Sequence, residues 1–356
     1  MHAALIELYS SHDECLYSQA RFLKAGGYTV HLLCNAELGS RVQDIDIVDH
    51  SLFVPFGAGN WTDFRQLLKI RRYLLDQNIS VAILNTARGS RIRNLLLLPN
   101  PHTQFIGIGH IANKIFSGFT SRLIRAKVKK YFVLNEYILP QLPKDDSIQV
   151  QAMYPIFYPP YKTSSVKKPN EEFWVCIPGG IELARKDYDA LLDNILRNKL
   201  DSRIKFILLG RSNLARSENQ NFIETLKKHS LDRHFVWFED YVERDEFFSY
   251  LNNCDLVLPL IHPQKPPYAE YITYKISGAF NLAFGLQIPM LCERSFEALG
   301  DFAVSSFFYE EDELAQTLNG LLDRGDELRI IRDSIRSYEK FQFDYQQERY
   351  VSFIEG

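Results

Sequence analysis

The sequence predicts an α/β chain made of two doubly wound parallel-sheet domains. Three observations carry this. Short β-rich apolar runs alternate with longer helical stretches. The alternation stops at a Pro- and Lys-rich stretch near residues 155–170 and then restarts. At 356 residues the chain is long for one domain and comfortable for two.

In order, Ala3–Tyr9 reads as a buried strand, Glu14–Ala25 as a helix ended by Gly26-Gly27, and Tyr28–Cys34 as the next strand. Trp61–Gln77 reads as an amphipathic helix, with Trp61, Phe64, Leu67, Leu68, Leu74 and Leu75 on one side. Val81–Leu84, Gln104–Ile108 and Tyr131–Leu134 read as further strands. Strand, helix, strand at this spacing means βαβ units and a parallel sheet. After the break, strands are expected at Phe173–Ile177, Lys205–Leu209, Phe235–Phe238, Asp255–Leu260 and Pro289–Cys292. Helices are expected at Tyr188–Arg197, Asn221–His229, Arg244–Asn252 and Ile276–Phe284, and Glu310–Phe353 is largely helical. The expected organisation is a first domain over 1–160, a second over 161–335, and a helical tail over 336–356 that returns to the first. Ligands of open parallel sheets sit at the carboxyl ends of the strands, and two such domains suggest a site in the cleft they form.

Composition narrows the function. No stretch approaches the roughly 18 apolar residues of a membrane span, and the N-terminus lacks the basic region of a signal peptide. The five cysteines are scattered, with no C-x-x-C spacing. They read as reduced core residues of a cytoplasmic protein, not as zinc ligands or disulfides. The net charge of −3 hides an asymmetry: residues 1–165 carry 18 Lys/Arg against 12 Asp/Glu, and residues 166–356 carry 23 against 32. The basic half suits an anionic partner. From Gln77 to Asn135 there are nine Lys/Arg and no acid. Within it, the apolar residues of 114–130 interleave with cations, a pattern that suits an anionic membrane surface, a solvated basic face or a site for an anionic ligand. No recognised nucleic-acid module is present.

The strongest chemical signal is Pro178-Gly179-Gly180-Ile181-Glu182-Leu183-Ala184-Arg185-Lys186-Asp187-Tyr188, after a strand. Two glycines let the backbone approach a ligand closely, and Arg185 and Lys186 open a helix. Cations beside free helix N–H groups suit a diphosphate.

Gly179–Leu192 resembles the "G-R-x-x-x-x-R-K-G-x-x-x-L-L" segment of nucleotide-sugar-dependent glycosyltransferases of the GT-B fold, in particular the bacterial mannosyltransferase-type (family 4-like) group. The resemblance implies two Rossmann-like domains, the first (1–160) acceptor-binding and the second (161–335) nucleotide-sugar-binding, and a sugar moved from a nucleoside-diphosphate donor to a glycan or lipid-linked acceptor. It implies that Lys186 contacts the donor diphosphate. Gly180 stands where that group has a further Arg, leaving Arg185 or Arg211 to supply the charge. Lys205–Arg211 is similar to the strand and glycine that follow. Phe238–Val242 followed by Phe247–Leu260 is similar to the stretch that places Tyr241 and Val242 at the nucleobase. Gln104–His110 is similar to the strand whose end puts His110 beside the donor sugar. Retaining members of the group carry Glu-x7-Glu; alignment on Pro289 puts Tyr274 and Leu282 at those places. What remains there is Lys275, Ser277 and Gly278, which suit either a phosphate cradle or helix capping.

Without those carboxylates an inverting reaction is the expectation. Ser10-Ser11-His12-Asp13-Glu14 follows the first strand, and a histidine titrating near neutrality can take the acceptor hydroxyl's proton. His12 is the expected base, with Asp13 or Glu14 as partner. The competing expectation is a capping box of Ser11 and Glu14. No cofactor and no metal are expected. A nucleotide-sugar epimerase, or a two-lobed binding or scaffold protein, would suit the same fold.

Overall fold

The computed structural model describes residues 1–42, 45–57, 59–162, 166–266 and 268–356. Thr163–Ser165 of the Pro- and Lys-rich stretch, and Pro267, lie outside the described residues. The chain forms two compact units. The first holds Met1–Pro159, Thr273–Ile276 and Gln342–Gly356; the second holds Pro160–Ile272 and Ser277–Phe341.

The first unit is built on seven parallel strands: β1 (His2–Glu7), β2 (Thr29–Asn35), β3 (His50–Val54), β4 (Val81–Leu84), β5 (Gln104–Gly109), β6 (Lys130–Val133) and β7 (Gln149–Ala152), in the spatial order β3-β2-β1-β4-β5-β6-β7. The order reverses between β1 and β4, which is where doubly wound sheets take their ligands. Both faces are covered, so the strands are apolar throughout and alternate residues serve opposite layers. Ala4 and Ile6 face the helices Asn60–Asp76, Gly89–Leu97 and Gly118–Lys127 through Leu67, Ile70, Leu95 and Ile124. Ala3 and Leu5 face the helices Leu16–Ala25 and Phe343–Glu355. The last helix is tied down by Tyr350 stacked on Phe132 at 4.6 Å and by Lys130 Nζ donating to the Phe353 carbonyl at 2.8 Å.

The second unit carries six parallel strands: β8 (Phe173–Pro178), β9 (Ile204–Arg211), β10 (Phe235–Phe238), β11 (Leu256–Val257), β12 (Met290–Glu293) and β13 (Ser306–Tyr309), in the order β10-β9-β8-β11-β12-β13. Its reversal falls between β8 and β11.

Several expectations need correction. Trp61 is 73% exposed and Leu68 is 42% exposed; the buried stripe of that helix is Leu67, Ile70 and Leu74. Residues 114–130 are not one free amphipathic helix. Ile115 ends a 3-10 turn, a separate helix spans Gly118–Lys127, and Ile115 and Ile124 are in the core. β3, β7 and β13 escaped the sequence reading because each is a short edge strand with little apolar alternation. The expected strand Asp255–Leu260 pairs only over Leu256–Val257, and the chain turns at Leu260, φ 53°. All five cysteines are free and buried.

One histidine cluster sets an acid limit. Buried His31 pairs with His2 at 2.9 Å and with the Tyr73 hydroxyl at 3.0 Å, and its ring lies 4.7 Å from that of His50. Burial, then the charges of His50 and His2, hold its pKa down at about 4 against 6.5. The unfolded chain therefore binds the extra proton first. Stability is full above pH 6.5 and falls as pH drops from 6.5 towards 4. The urea midpoint should fall across that window, and His31→Gln should flatten the slope.

Candidate functional site

In the first unit a cavity of about 630 Å³ opens at the carboxyl ends of β1, β2 and β4, beside the reversal of strand order. Tyr9–His12, Asn35, Phe56, Thr86, Arg88 and Arg91 are among the residues that line it. A buried polar cluster ties together the segments that line it. Glu7 ends β1 with no exposure, accepting from the Tyr9 amide (2.8 Å), Asn85 Nδ2 (2.8 Å) and Thr86 Oγ1 (2.6 Å). Burial raises its pKa, against the lowering effect of those donors. Asn85 Nδ2 also donates to the His12 carbonyl at 2.8 Å, and Gln19 Nε2 donates to Asn85 Oδ1 at 2.7 Å. Asn85 thus anchors His12 in a left-handed conformation, φ 67°, which is uncommon for a non-glycine residue. Asn85→Ala would strand buried acceptors and donors, at about 1–3 kcal/mol.

The His12 ring stacks on His110, centroids 3.7 Å apart and planes at 17°. His110 Nε2 donates to the Asn85 carbonyl at 2.7 Å, which fixes its tautomer. Burial, then the charge of His12, holds the His110 pKa down at about 4. His12 Nδ1 meets Glu14 Oε1 at 3.4 Å. Burial alone would lower the His12 pKa; the hydrogen bond and charge of Glu14, with Glu7 and Asp13, outweigh it, and the net shift is upward from 6.5. Nδ1 faces Glu14, which leaves Nε2 as the atom for proton exchange in the cavity.

Two expectations change here. Asp13 pairs with Arg41 at 2.9 Å, so Glu14 is the partner of His12. The capping box does not form: His12, not Ser11, precedes the 3-10 turn Asp13–Cys15, with no side-chain cap.

In the second unit β8 runs into Gly179 at φ 88°, whose amide donates to the Leu209 carbonyl at 2.7 Å. The ends of β8 and β9 nearly touch. A Cβ on Gly180 would meet the Arg211 carbonyl oxygen at 2.6 Å, and one on Gly210 would meet the Gly179 carbonyl carbon at 2.4 Å. Gly210→Ala is expected to destabilise by about 1–3 kcal/mol through overpacking, readable as a lowered denaturant midpoint.

Lys186 is 8% exposed. Its Nζ donates to the Gly180 carbonyl at 3.0 Å, and among the described residues no carboxylate pairs with it. Burial pulls its pKa down to about 8. Arg185 is the opposite case: its side chain is 69% exposed and pairs with Glu182 at 3.0 Å. The two do not open a helix. The helix is Tyr188–Arg197, and Asp187 caps it by accepting from the Ala190 amide at 3.1 Å. With Asp187 at its N-cap and Asp189 in its first turn, that helix end disfavours an anion.

Asp187 also accepts from His262 Nδ1 at 2.7 Å and Lys265 Nζ at 3.0 Å, and its amide donates to the Leu260 carbonyl at 2.8 Å. Burial opposes its charge, but His262 and Lys265 outweigh burial and hold its pKa at about 2. His262 Nε2 pairs with the Tyr309 hydroxyl at 3.0 Å. This buried chain fixes the loop that carries Lys186 against the segment after β11. Asn219 Nδ2 secures the same loop by donating to the Ile181 carbonyl at 3.1 Å.

The other expected donor residues fall as follows. Arg211 is exposed at the end of β9. Tyr241 is 67% exposed and Val242 is buried, both beyond β10. Lys275 belongs to the first unit, where it bridges Ile111 and its carbonyl accepts from the Tyr137 hydroxyl. Ser277 caps the helix Gly278–Leu286 of the second unit through the Ala279 amide at 3.3 Å. A Cβ on Gly278 would meet nothing within 4 Å, so no close packing requires that glycine.

Glu7, Asn85, Asn219 and His262 were not singled out from the sequence as site residues. Asn85-Thr86 carried a legible signal, since both follow the β4 apolar run at its carboxyl end. His262 carried none, because its partners Asp187 and Tyr309 lie 75 and 47 residues away. Among the described residues no group of three or more His, Cys, Asp or Glu is placed to hold a metal ion.

Two Rossmann-like parallel-sheet domains of this order define the GT-B fold. Solved structures agree. The chain is similar to a glycosyltransferase from Rickettsia africae (TM-score 0.69, 11% identity, 99% of this chain and 98% of that one). It is similar to HepE of Anabaena, solved with UDP (TM-score 0.69, 11% identity, all of both chains). It is also similar to a putative UDP-N-acetylglucosamine 2-epimerase from Listeria monocytogenes (TM-score 0.60, 10% identity, 99% and 95%). No protein-family model matches the sequence, and no curated protein matches it. At these identities the likeness is one of fold.

Proposed function

We propose that this chain is a glycosyltransferase of hexosyltransferase type, moving a sugar from a nucleoside-diphosphate donor to a glycan or lipid-linked acceptor in surface polysaccharide or glycoconjugate assembly. The observation that carries it is the buried Lys186 ammonium, held by one carbonyl and in no ion pair among the described residues, with the Glu182 charge acting on it only beyond contact. A cation so placed is costly without an anion, and a diphosphate supplies one. HepE, of the same fold, was solved with UDP and with UDP and glucose.

The reaction inverts. The acceptor oxygen forms a bond to the anomeric carbon as that carbon's bond to the diphosphate breaks, and the diphosphate leaves with the electron pair. His12 Nε2 takes the acceptor proton, with Glu14 stabilising the imidazolium. His110, held neutral, backs the His12 ring. Lys186 meets the charge of the leaving group, with Arg185 and Arg211 as further cations, so no metal is required. Tyr241, Val242, Ser277 and Gly278 complete donor binding, together with Lys275.

The epimerase likeness gives a second reading, in which the donor itself is the substrate. NMR of a nucleotide-sugar panel separates the two. Transfer that requires an added acceptor supports the proposal; donor epimerised without an acceptor favours the second reading. The chain acts in the cytoplasm, with residues 114–130 touching an anionic membrane; exposed Phe119, Lys114, Arg122 and Lys127 favour that contact. Among the described residues no helix is long and apolar enough to cross a membrane.

A further inference from the structure

Four of the large apolar side chains most exposed on the described surface share one layer of the first unit. They are Trp61 (73%), Leu68 (42%), Leu97 (59%) and Phe119 (72%). The layer consists of the helices Asn60–Asp76, Gly89–Leu97 and Gly118–Lys127, each packed beside the next on one face of the seven-stranded sheet. Its inner side is fully used by the core, so these four side chains have no part in holding the fold. Isolated exposed apolar residues are ordinary. Here they stand on a strongly basic ground: the three helices carry nine Lys/Arg against two Asp. Both acids are already paired, Asp63 with Arg91 at 3.1 Å and Asp76 with Arg72 at 3.4 Å. Arg65, Lys69, Arg122 and Lys127 are exposed and free of ion pairs among the described residues.

We propose that this three-helix layer, with Trp61 and Phe119 as its apolar anchors, docks the first unit on an anionic lipid bilayer. This extends the contact assigned to residues 114–130 to a face that includes the helix Asn60–Asp76, and does not depend on the transfer chemistry. An amphipathic aromatic ring is at home at the headgroup level, and basic side chains beside an anionic leaflet are drawn to it electrostatically. The combination distinguishes a bilayer from a nucleic acid, which would meet the cations but leave Leu68, Leu97 and Phe119 in water.

The test is flotation of the full chain with vesicles of phosphatidylcholine alone or with 30% phosphatidylglycerol, at low and high salt. Binding at least tenfold stronger to the anionic vesicles, released by salt, is expected. Trp61→Ser and Phe119→Ser, which remove exposed side chains and leave the core intact, should each weaken it several-fold. Quenching of tryptophan emission by brominated lipid should occur in the wild type and vanish in Trp61→Ser. Loss with Phe119→Ser but none with Trp61→Ser would leave only the 114–130 contact and overturn the wider face. Equal binding to both vesicle types, or none, would overturn the proposal outright. So would tight salt-sensitive binding to random-sequence RNA that survives both substitutions, in place of vesicle binding.

Discussion

His12→Ala should reduce sugar transfer by roughly 10²- to 10⁴-fold, the usual worth of a positioned general base, while leaving donor affinity unchanged. The pH profile gives the finer readout. Glu14 and the nearby carboxylates push the His12 pKa above 6.5 despite its burial, and the base works only when neutral. Activity should therefore rise as pH climbs through a value above 6.5. With donor below saturation, kcat/KM should fall again as pH passes about 8, where Lys186 of the free enzyme loses its proton. Glu14→Gln removes the partner of His12, so the acidic limb should move to lower pH while the alkaline limb stays. A merely structural role for this loop would lower activity without moving one limb alone. Steady-state rates of transfer from pH 5 to 9.5 check both.

Lys186→Met should weaken binding of a nucleoside-diphosphate sugar by roughly 100-fold, about 3 kcal/mol, as expected for charge-assisted hydrogen bonds to phosphate. The same substitution should stabilise the unliganded protein. It exchanges a buried cation with one hydrogen bond for an apolar chain of similar length, and a gain of about 1 kcal/mol moves Tm by about 2–4 °C. Opposite signs in the two measurements exclude loss of folding as the cause of lost binding. Arg185→Gln should have a much smaller effect, because the Arg185 side chain is in water and shared with Glu182.

The contrast between these two residues shows what the sequence made legible. Arg185 and Lys186 are adjacent and of like charge, and spacing gave no reason to rank them. The turn separates them: Lys186 folds back over Gly179 and Gly180, and Arg185 turns outward. The strands β1, β4, β8 and β12 were readable because a strand buried on both faces is a continuous apolar run. β3 and β7, on sheet edges, lack that run. In the first unit His12 was visible as a histidine after a strand. Its partner was not: Asp13 and Glu14 were equivalent until Arg41 took Asp13. Glu7 lies inside a strand pattern and nothing local marks it. Its function as an anchor for Tyr9, Asn85 and Thr86 exists only once β1 and β4 lie side by side.

The claim that Lys186 grips the donor diphosphate is tested most directly by isothermal titration calorimetry near pH 8. A panel of nucleoside-diphosphate sugars, whose phosphates do not titrate there, is injected in buffers of different ionisation enthalpy. With the free Lys186 pKa at about 8, about half of the ammonium groups are neutral before binding. The bound diphosphate should restore the missing protons, giving uptake of roughly half a proton per site. That uptake should be absent in Lys186→Met. Binding with no proton uptake, or with uptake that persists in Lys186→Met, would contradict the assignment.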